Sequence, residues 1–141
     1  MLKINEIFKS IQGESSYAGL PCAFVRLTGC DLRCHYCDTQ YAFYEGKDMS
    51  VDQVIAEVDN YGLRLVEITG GEPLLQGSVY PLMAGFLRKG YQVLLETSGS
   101  MPIKDVPEEV VKIMDLKCPA SGEESQNEFD NINHLSQNDE V

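Results

Sequence analysis

The stretch Gly29-Cys30-Asp31-Leu32-Arg33-Cys34-His35-Tyr36-Cys37-Asp38-Thr39 places three thiols at C-x3-C-x2-C spacing in one short loop. Three thiolates can hold three irons of a cubane iron–sulfur cluster and leave the fourth iron open to a substrate or cosubstrate. A cluster with four thiolate ligands normally only passes electrons. Structural zinc is the competing reading, and it needs four protein ligands in closed tetrahedral geometry. His35, Cys22, Cys118 and His134 are the available fourth ligands, and none stands at an ordinary zinc-ribbon or knuckle spacing. The loop favours an open cluster over zinc or unligated structural thiols.

The residues leading into the loop indicate the fold. Cys22-Ala23-Phe24-Val25-Arg26-Leu27 is a near-continuous apolar run, as expected of a strand buried on both faces of a parallel sheet. It delivers the chain into the cysteines, so they lie at a strand's C-terminal end, where α/β folds place their sites. Upstream, Leu2 to Phe8 reads as an edge strand, and Ser10 to Ser16 as a polar, glycine-containing loop.

Downstream, strands and helices alternate. Ser50 with Gln53 forms a capping box that opens a helix with Val51, Val54, Ile55 and Val58 on its apolar face, closed by Tyr61-Gly62. Leu65–Thr69 reads as a strand ending in Gly70-Gly71-Glu72-Pro73. A helix over 79–89 follows, stopped by Gly90. Tyr91–Glu96 and Val111–Leu116 read as further strands, and Pro107-Glu108-Glu109 as the first turn of a brief helix. The expected fold is α/β, a partial (incomplete) parallel β/α barrel formed by a single domain over residues 1–141. At 141 residues the chain is too short for a complete eight-fold barrel.

Bulk composition excludes several classes. The net charge of −11 argues against nucleic acid or an anionic membrane as partner. Six of the acids fall in the C-terminal segment 121–141, which has no Lys or Arg, leaving −5 for the rest. Five cysteines, three of them in one loop, do not form a secreted disulfide framework. The start Met1-Leu2-Lys3-Ile4-Asn5-Glu6 lacks the apolar run of a signal peptide, and no apolar stretch is long enough to span a bilayer. The expected location is cytoplasmic.

The cysteine loop (28–40) resembles the signature of radical S-adenosylmethionine (SAM) enzymes, and Thr69-Gly70-Gly71-Glu72-Pro73 resembles their glycine-rich motif. More narrowly, Ser10-Ile11-Gln12-Gly13-Glu14, Phe24-Val25-Arg26 and Cys37-Asp38-Thr39 resemble the 7-carboxy-7-deazaguanine synthase family of queuosine and deazapurine biosynthesis, over Ile4 to about Gly122. The resemblance implies a lyase that converts 6-carboxy-5,6,7,8-tetrahydropterin to 7-carboxy-7-deazaguanine with loss of ammonia. Cys30, Cys34 and Cys37 would hold a [4Fe–4S] cluster whose open iron is chelated by SAM. Reduction then yields a 5′-deoxyadenosyl radical on the cofactor, so no side chain is itself catalytic. The electron donor would be a flavodoxin or ferredoxin, and the protein a homodimer.

By the same resemblance Tyr36, Cys37, Asp38 and Gly71 contact SAM. Ser98 and Asp115-Leu116-Lys117 would complete that pocket, although strand-end polar residues satisfying local backbone read almost as well. Ile11, Gln12, Gly13, Glu14, Arg26 and Thr69 would bind substrate. Arg26 sits in an otherwise apolar strand, where its charge needs a partner. A guanidinium grips a carboxylate through two parallel hydrogen bonds, and a structural salt bridge is the alternative. An exposed polar turn is the alternative for Gln12 and Glu14. Thr39 would ligate Mg2+, a hard cation that prefers oxygen, or else cap the next turn. Cys22 and Cys118 are expected to be non-ligands, and His35 a solvated loop residue.

Two features depart from the family. Ser15 stands where many relatives carry glycine, and members continue beyond Val141, so a shortened chain with an exposed sheet edge is expected. A glycyl-radical activating enzyme shares the cluster loop, but gives no reason for Gln12-Gly13-Glu14. A non-catalytic iron–sulfur or zinc module fits the shortness.

Overall fold

The computed structural model describes all 141 residues and gathers six strands into one open sheet. These are β1 (Leu2–Ile11), β2 (Pro21–Leu27), β3 (Lys47–Met49), β4 (Leu65–Gly70), β5 (Gln92–Thr97) and β6 (Val111–Met114), in the spatial order β3-β1-β2-β4-β5-β6. Strands β2, β4, β5 and β6 run parallel, whereas β1 is antiparallel to both β2 and β3. The first strand is therefore not the edge. Lys47–Met49 pairs outside it, through a run too short and polar to show period-two alternation. Strand β1 also continues through Ser10 and Ile11, so the loop begins only at Gln12.

Helix α1 (Val51–Asp59) forms with the full capping box: Gln53 N donates to Ser50 Oγ, and Ser50 N to Gln53 Oε1 at 2.8 Å. Such a cap contributes about 1 kcal/mol. Helix α2 (Val79–Arg88) ends before Gly90, whose φ of 77° reverses the chain. Val54, Ile55 and Val58 of α1 join Leu82, Met83 and Phe86 of α2 in one core with Val25, Leu27, Val66, Ile68, Val93 and Leu95 from one face of the sheet. On the other face Cys22, Leu65, Leu94 and Val111 pack with Tyr17, Phe24 and Ile113. The alternation along each strand thus leaves the residues that alternate with the helix-side core facing a second layer.

Four further expectations are corrected. Strand β5 starts at Gln92, with Tyr91 buried just before it, and β6 stops at Met114, two residues short of the expected end at Leu116. Pro107–Val110 is a single turn closed by Val110 N to Pro107 O at 3.1 Å, not a helix, because β6 begins at once. The outer edge of β6 is not bare either. Glu140 bridges Ile113 in parallel, with Glu140 N donating to Lys112 O and Met114 N to Glu140 O, both at 2.9 Å. Asp139 anchors this cover by a buried ion pair, Lys112 Nζ lying 3.3 Å from Asp139 Oδ2.

Candidate active site

A cavity of about 800 Å3 opens at the C-terminal ends of β2, β4, β5 and β6. All three loop cysteines line it, each half-buried. No group of three or more His, Cys, Asp or Glu is placed to hold a single metal ion. A zinc site needs such a group, whereas a cubane takes one thiolate per iron. The donor set therefore fits a cluster. Burial pushes the Cys30 and Cys34 thiols up, and the Lys117 ammonium pulls Cys34 back. Loading the site with iron would release those protons.

The Gly70-Gly71 turn after β4 packs against this loop. A Cβ at Gly71 would lie 2.2 Å from Gly29 O and 2.6 Å from Cys30 Cβ, so glycine is needed by the chain's own packing. Glu72 N also donates to Gly29 O at 2.8 Å. The Glu72 side chain is fully buried: Thr97 Oγ1, Ser98 N and Ser98 Oγ donate to one oxygen, and Leu74 N to the other. Glu72 thus staples the ends of β4 and β5. The Ser98 hydroxyl lines the cavity but is committed to this staple.

The other predicted residues distribute unevenly. Tyr36, Asp38, Thr39, Gly71, Asp115 and Lys117 all reach the cavity. Leu116 does not line it and is partly exposed. Thr39 precedes a 3-10 turn, yet its hydroxyl does not cap it; it donates to Asp38 Oδ1 at 2.7 Å and keeps its lone pairs. Gln12, Gly13, Glu14, Arg26 and Thr69 line the opposite wall, while Ile11 is 57% exposed and pairs with Pro21 outside it. Gln12 is not part of an exposed turn. Its Oε1 accepts from Gly13 N and Glu14 N, and its Nε2 donates to Glu67 Oε2.

Arg26 has an internal partner, Glu6, at 2.8 Å through Nε. A bulge in β1 at Asn5 sets Glu6 directly opposite Arg26, and Tyr41 OH donates to the same carboxylate oxygen at 3.2 Å. The ion pair occupies only Nε, leaving the two terminal nitrogens for another acceptor. Phe8 and Phe24 stack at 5.0 Å between ring centroids and give the same wall an aromatic face.

Sequence reasoning missed two cavity carboxyls, Glu67 and Glu96, which sit on adjacent strands. Alternation along β4 and β5 could have placed both on the site face. Burial, and then the neighbouring Glu96 charge, push the Glu67 carboxyl up to about 8. Thr69 Oγ1 donates to Glu96 Oε2 at 2.7 Å. Because the folded value lies above that of an unfolded carboxyl, the stability it contributes is full below about 4.5 and fades as pH rises through about 8. Glu67→Gln is expected to flatten that slope and, at pH 9, to exceed wild type by about 1–4 kcal/mol. Urea melts at pH 5 and pH 9 measure this, and equal slopes for the two proteins would remove the protonated carboxyl.

The radical SAM superfamily model matches residues 24–118, more than half of the chain. The chain belongs to the radical SAM superfamily. A radical SAM protein combines a [4Fe–4S] cluster with SAM, in keeping with the three thiols that line the cavity. Among curated relatives, a 7-carboxy-7-deazaguanine synthase of Koribacter versatilis is 52% identical over 142 residues, covering 99% of this chain and 63% of that protein. Those of Chlorobaculum tepidum and Thermoplasma acidophilum are 50% and 38% identical, with 55% and 66% of their lengths matched and 86% and 96% of this chain. The crystal structure of QueE from Escherichia coli superposes with a TM-score of 0.74 at 27% identity, over 83% of this chain and 60% of that one. This radical SAM chain thus spans under two thirds of the length of each of these relatives.

Proposed function

We propose that this chain is a 7-carboxy-7-deazaguanine synthase unit, acting on 6-carboxy-5,6,7,8-tetrahydropterin. The observation that carries the reading is Arg26, aimed by Glu6 into the cavity that also holds the three thiols. Its terminal nitrogens suit a carboxylate, and the Phe8–Phe24 wall suits a flat heterocycle. Cys30, Cys34 and Cys37 hold the cluster. Tyr36, Asp38, Gly71, Ser98, Asp115 and Lys117 surround SAM, and Thr39 offers an oxygen to Mg2+. Cluster and SAM, once bound and reduced, supply hydrogen-atom abstraction. The chain's own residues orient the substrate. Arg26 fixes the carboxylate, and the Gln12–Glu14 loop, pinned by Glu67, presents polar groups to the pyrimidinone edge. We further propose a flavodoxin or ferredoxin as reductant and a homodimeric assembly, as the family resemblance implies. No helix is long and apolar enough to cross a membrane.

The test is anaerobic turnover of the carboxypterin by iron-loaded protein with SAM, a reductant and Mg2+. The product and ammonia should appear in equal amounts. Arg26→Lys keeps the charge but loses the planar fork, so KM is expected to rise about tenfold to a hundredfold. An unchanged KM would take Arg26 out of substrate recognition. An iron-loaded protein that responds to SAM yet makes no deazaguanine would overturn the proposed reaction.

A further inference from the structure

The segment after β6 grips the cysteine loop on both sides of its second thiol, Cys34. Arg33 N donates to Glu123 Oε1 at 2.6 Å, and His35 N donates to Ser121 O at 2.9 Å. Gly122, in the left-handed region with φ of 77°, lies under the His35 ring, where a Cβ would come within 2.7 Å of Cε1. The Tyr36 hydroxyl and Cys118 Sγ are 3.6 Å apart. Residues 33, 35 and 36 are thus each met from outside the loop.

The gripping segment is itself stiff. Ser121 is fully buried; its hydroxyl donates to Cys118 O at 2.6 Å and accepts from Glu123 N at 3.0 Å. Lys117 and Asn127 tie the segment's base by two reciprocal bonds, Lys117 N to Asn127 Oδ1 and Asn127 Nδ2 to Lys117 O, both 2.9 Å. Within the cysteine loop, by contrast, the backbone has little to hold it. Cys37 N donates to Cys34 O, and the Arg33 guanidinium, lying 4.4 Å over Phe43, donates to Cys30 O and Leu32 O. A loop with so few bonds of its own would lose much conformational freedom on taking up a cluster.

We propose that Cys118–Glu123 is a clamp that fixes the cysteine loop in its cluster-binding shape, with Glu123 as the positioning residue that holds Arg33. This rests on Cys30, Cys34 and Cys37 being the cluster ligands and does not depend on which substrate is used. The clamp sits outside the ligands and acts on the backbone between them. Its effect is therefore on how long the cluster stays, and on how fast the loop amides exchange, rather than on the SAM chemistry.

The experiment follows iron loss from anaerobically reconstituted protein to a ferrous chelator, alongside amide hydrogen exchange at Arg33 and His35. Glu123→Ala removes a charge-assisted hydrogen bond, so Arg33 exchange and iron loss are both expected to quicken about tenfold. Glu123→Gln keeps an acceptor and should restore most of the protection. Circular dichroism like that of wild type confines the change to the loop. An iron-loaded wild type matched by Glu123→Ala in both rates overturns the clamp alone. A wild-type chain that takes up no iron overturns the ligand assignment, and the clamp with it.

Discussion

Cys34→Ala is expected to abolish the [4Fe–4S] absorbance of reconstituted protein and, with it, all SAM-dependent chemistry, while leaving the fold in place. Cys34 sits between the other two thiols and is half-buried in the shared cavity. Two thiolates cannot hold three irons, so the lesion is a missing ligand rather than a weakened one. Little of the fold depends on Cys34, since the loop is held by Arg33, Ser121 and Glu123. Iron per chain, with circular dichroism alongside, separates ligand loss from unfolding. Cys22→Ala serves as the control. Cys22 is fully buried on β2, its thiol faces the Ala23 carbonyl at 3.4 Å, and burial pushes it up to about 12. A thiol so placed is a packing residue, and its loss should leave iron content unchanged. Full iron retention in Cys34→Ala would sink the ligand assignment.

Asp139→Ala is expected to destabilise the protein by about 3–5 kcal/mol, the scale for breaking a buried pair and stranding one charge. Lys112 and Asp139 are 3% and 1% exposed, and the pair is embedded in further bonds. Asp139 Oδ1 also accepts from Lys112 N at 2.8 Å and Oδ2 from Ser136 N at 2.7 Å, while Lys112 Nζ donates to Val110 O. Alanine removes all of the carboxylate's contacts at once and leaves the buried ammonium without its counter-charge, with the Val110 carbonyl as acceptor. The cover over β6 would loosen too, exposing the backbone groups of Lys112 and Met114 that Glu140 now satisfies. Equilibrium urea unfolding measures the loss, and a drop below 1 kcal/mol would mean the pair is not buried in solution. Asp139→Ala combined with Lys112→Met should recover much of it, because no charge is then left alone.

Local signals carried much of this fold. Ser50 and Gln53 announce α1 through their own reciprocal bonds, and Gly90 ends α2 by a conformation glycine adopts freely. The apolar runs at Cys22–Leu27 and Leu65–Thr69 mark central strands since both faces are covered. What escaped notice is non-local. Lys47–Met49 becomes a strand only through its pairing with Leu2–Ile4. Glu140 covers β6 only because Asp139 finds Lys112 across the fold. Pro107 offered a helix start, but the chain has just four residues before β6 must begin. In the site, the cysteine spacing was legible in one glance. The Glu6 contact to Arg26 required a bulge, and Glu67 acquires its character from burial beside Glu96, neither of which a linear reading contains.

The contact between Gly71 and the Gly29–Cys30 backbone bears on how freely this sequence can drift. A glycine next to a ligand pocket is usually regarded as preserved by the ligand, so that a lineage abandoning the ligand is free to replace it. Here the requirement is imposed by the polypeptide on itself, before any small molecule arrives. Two motifs separated by about 40 residues are opposite sides of one joint, and neither can gain bulk unless the other retreats. Selection for solubility alone would keep position 71 small, and a descendant that had lost its chemistry would still carry the mark of it.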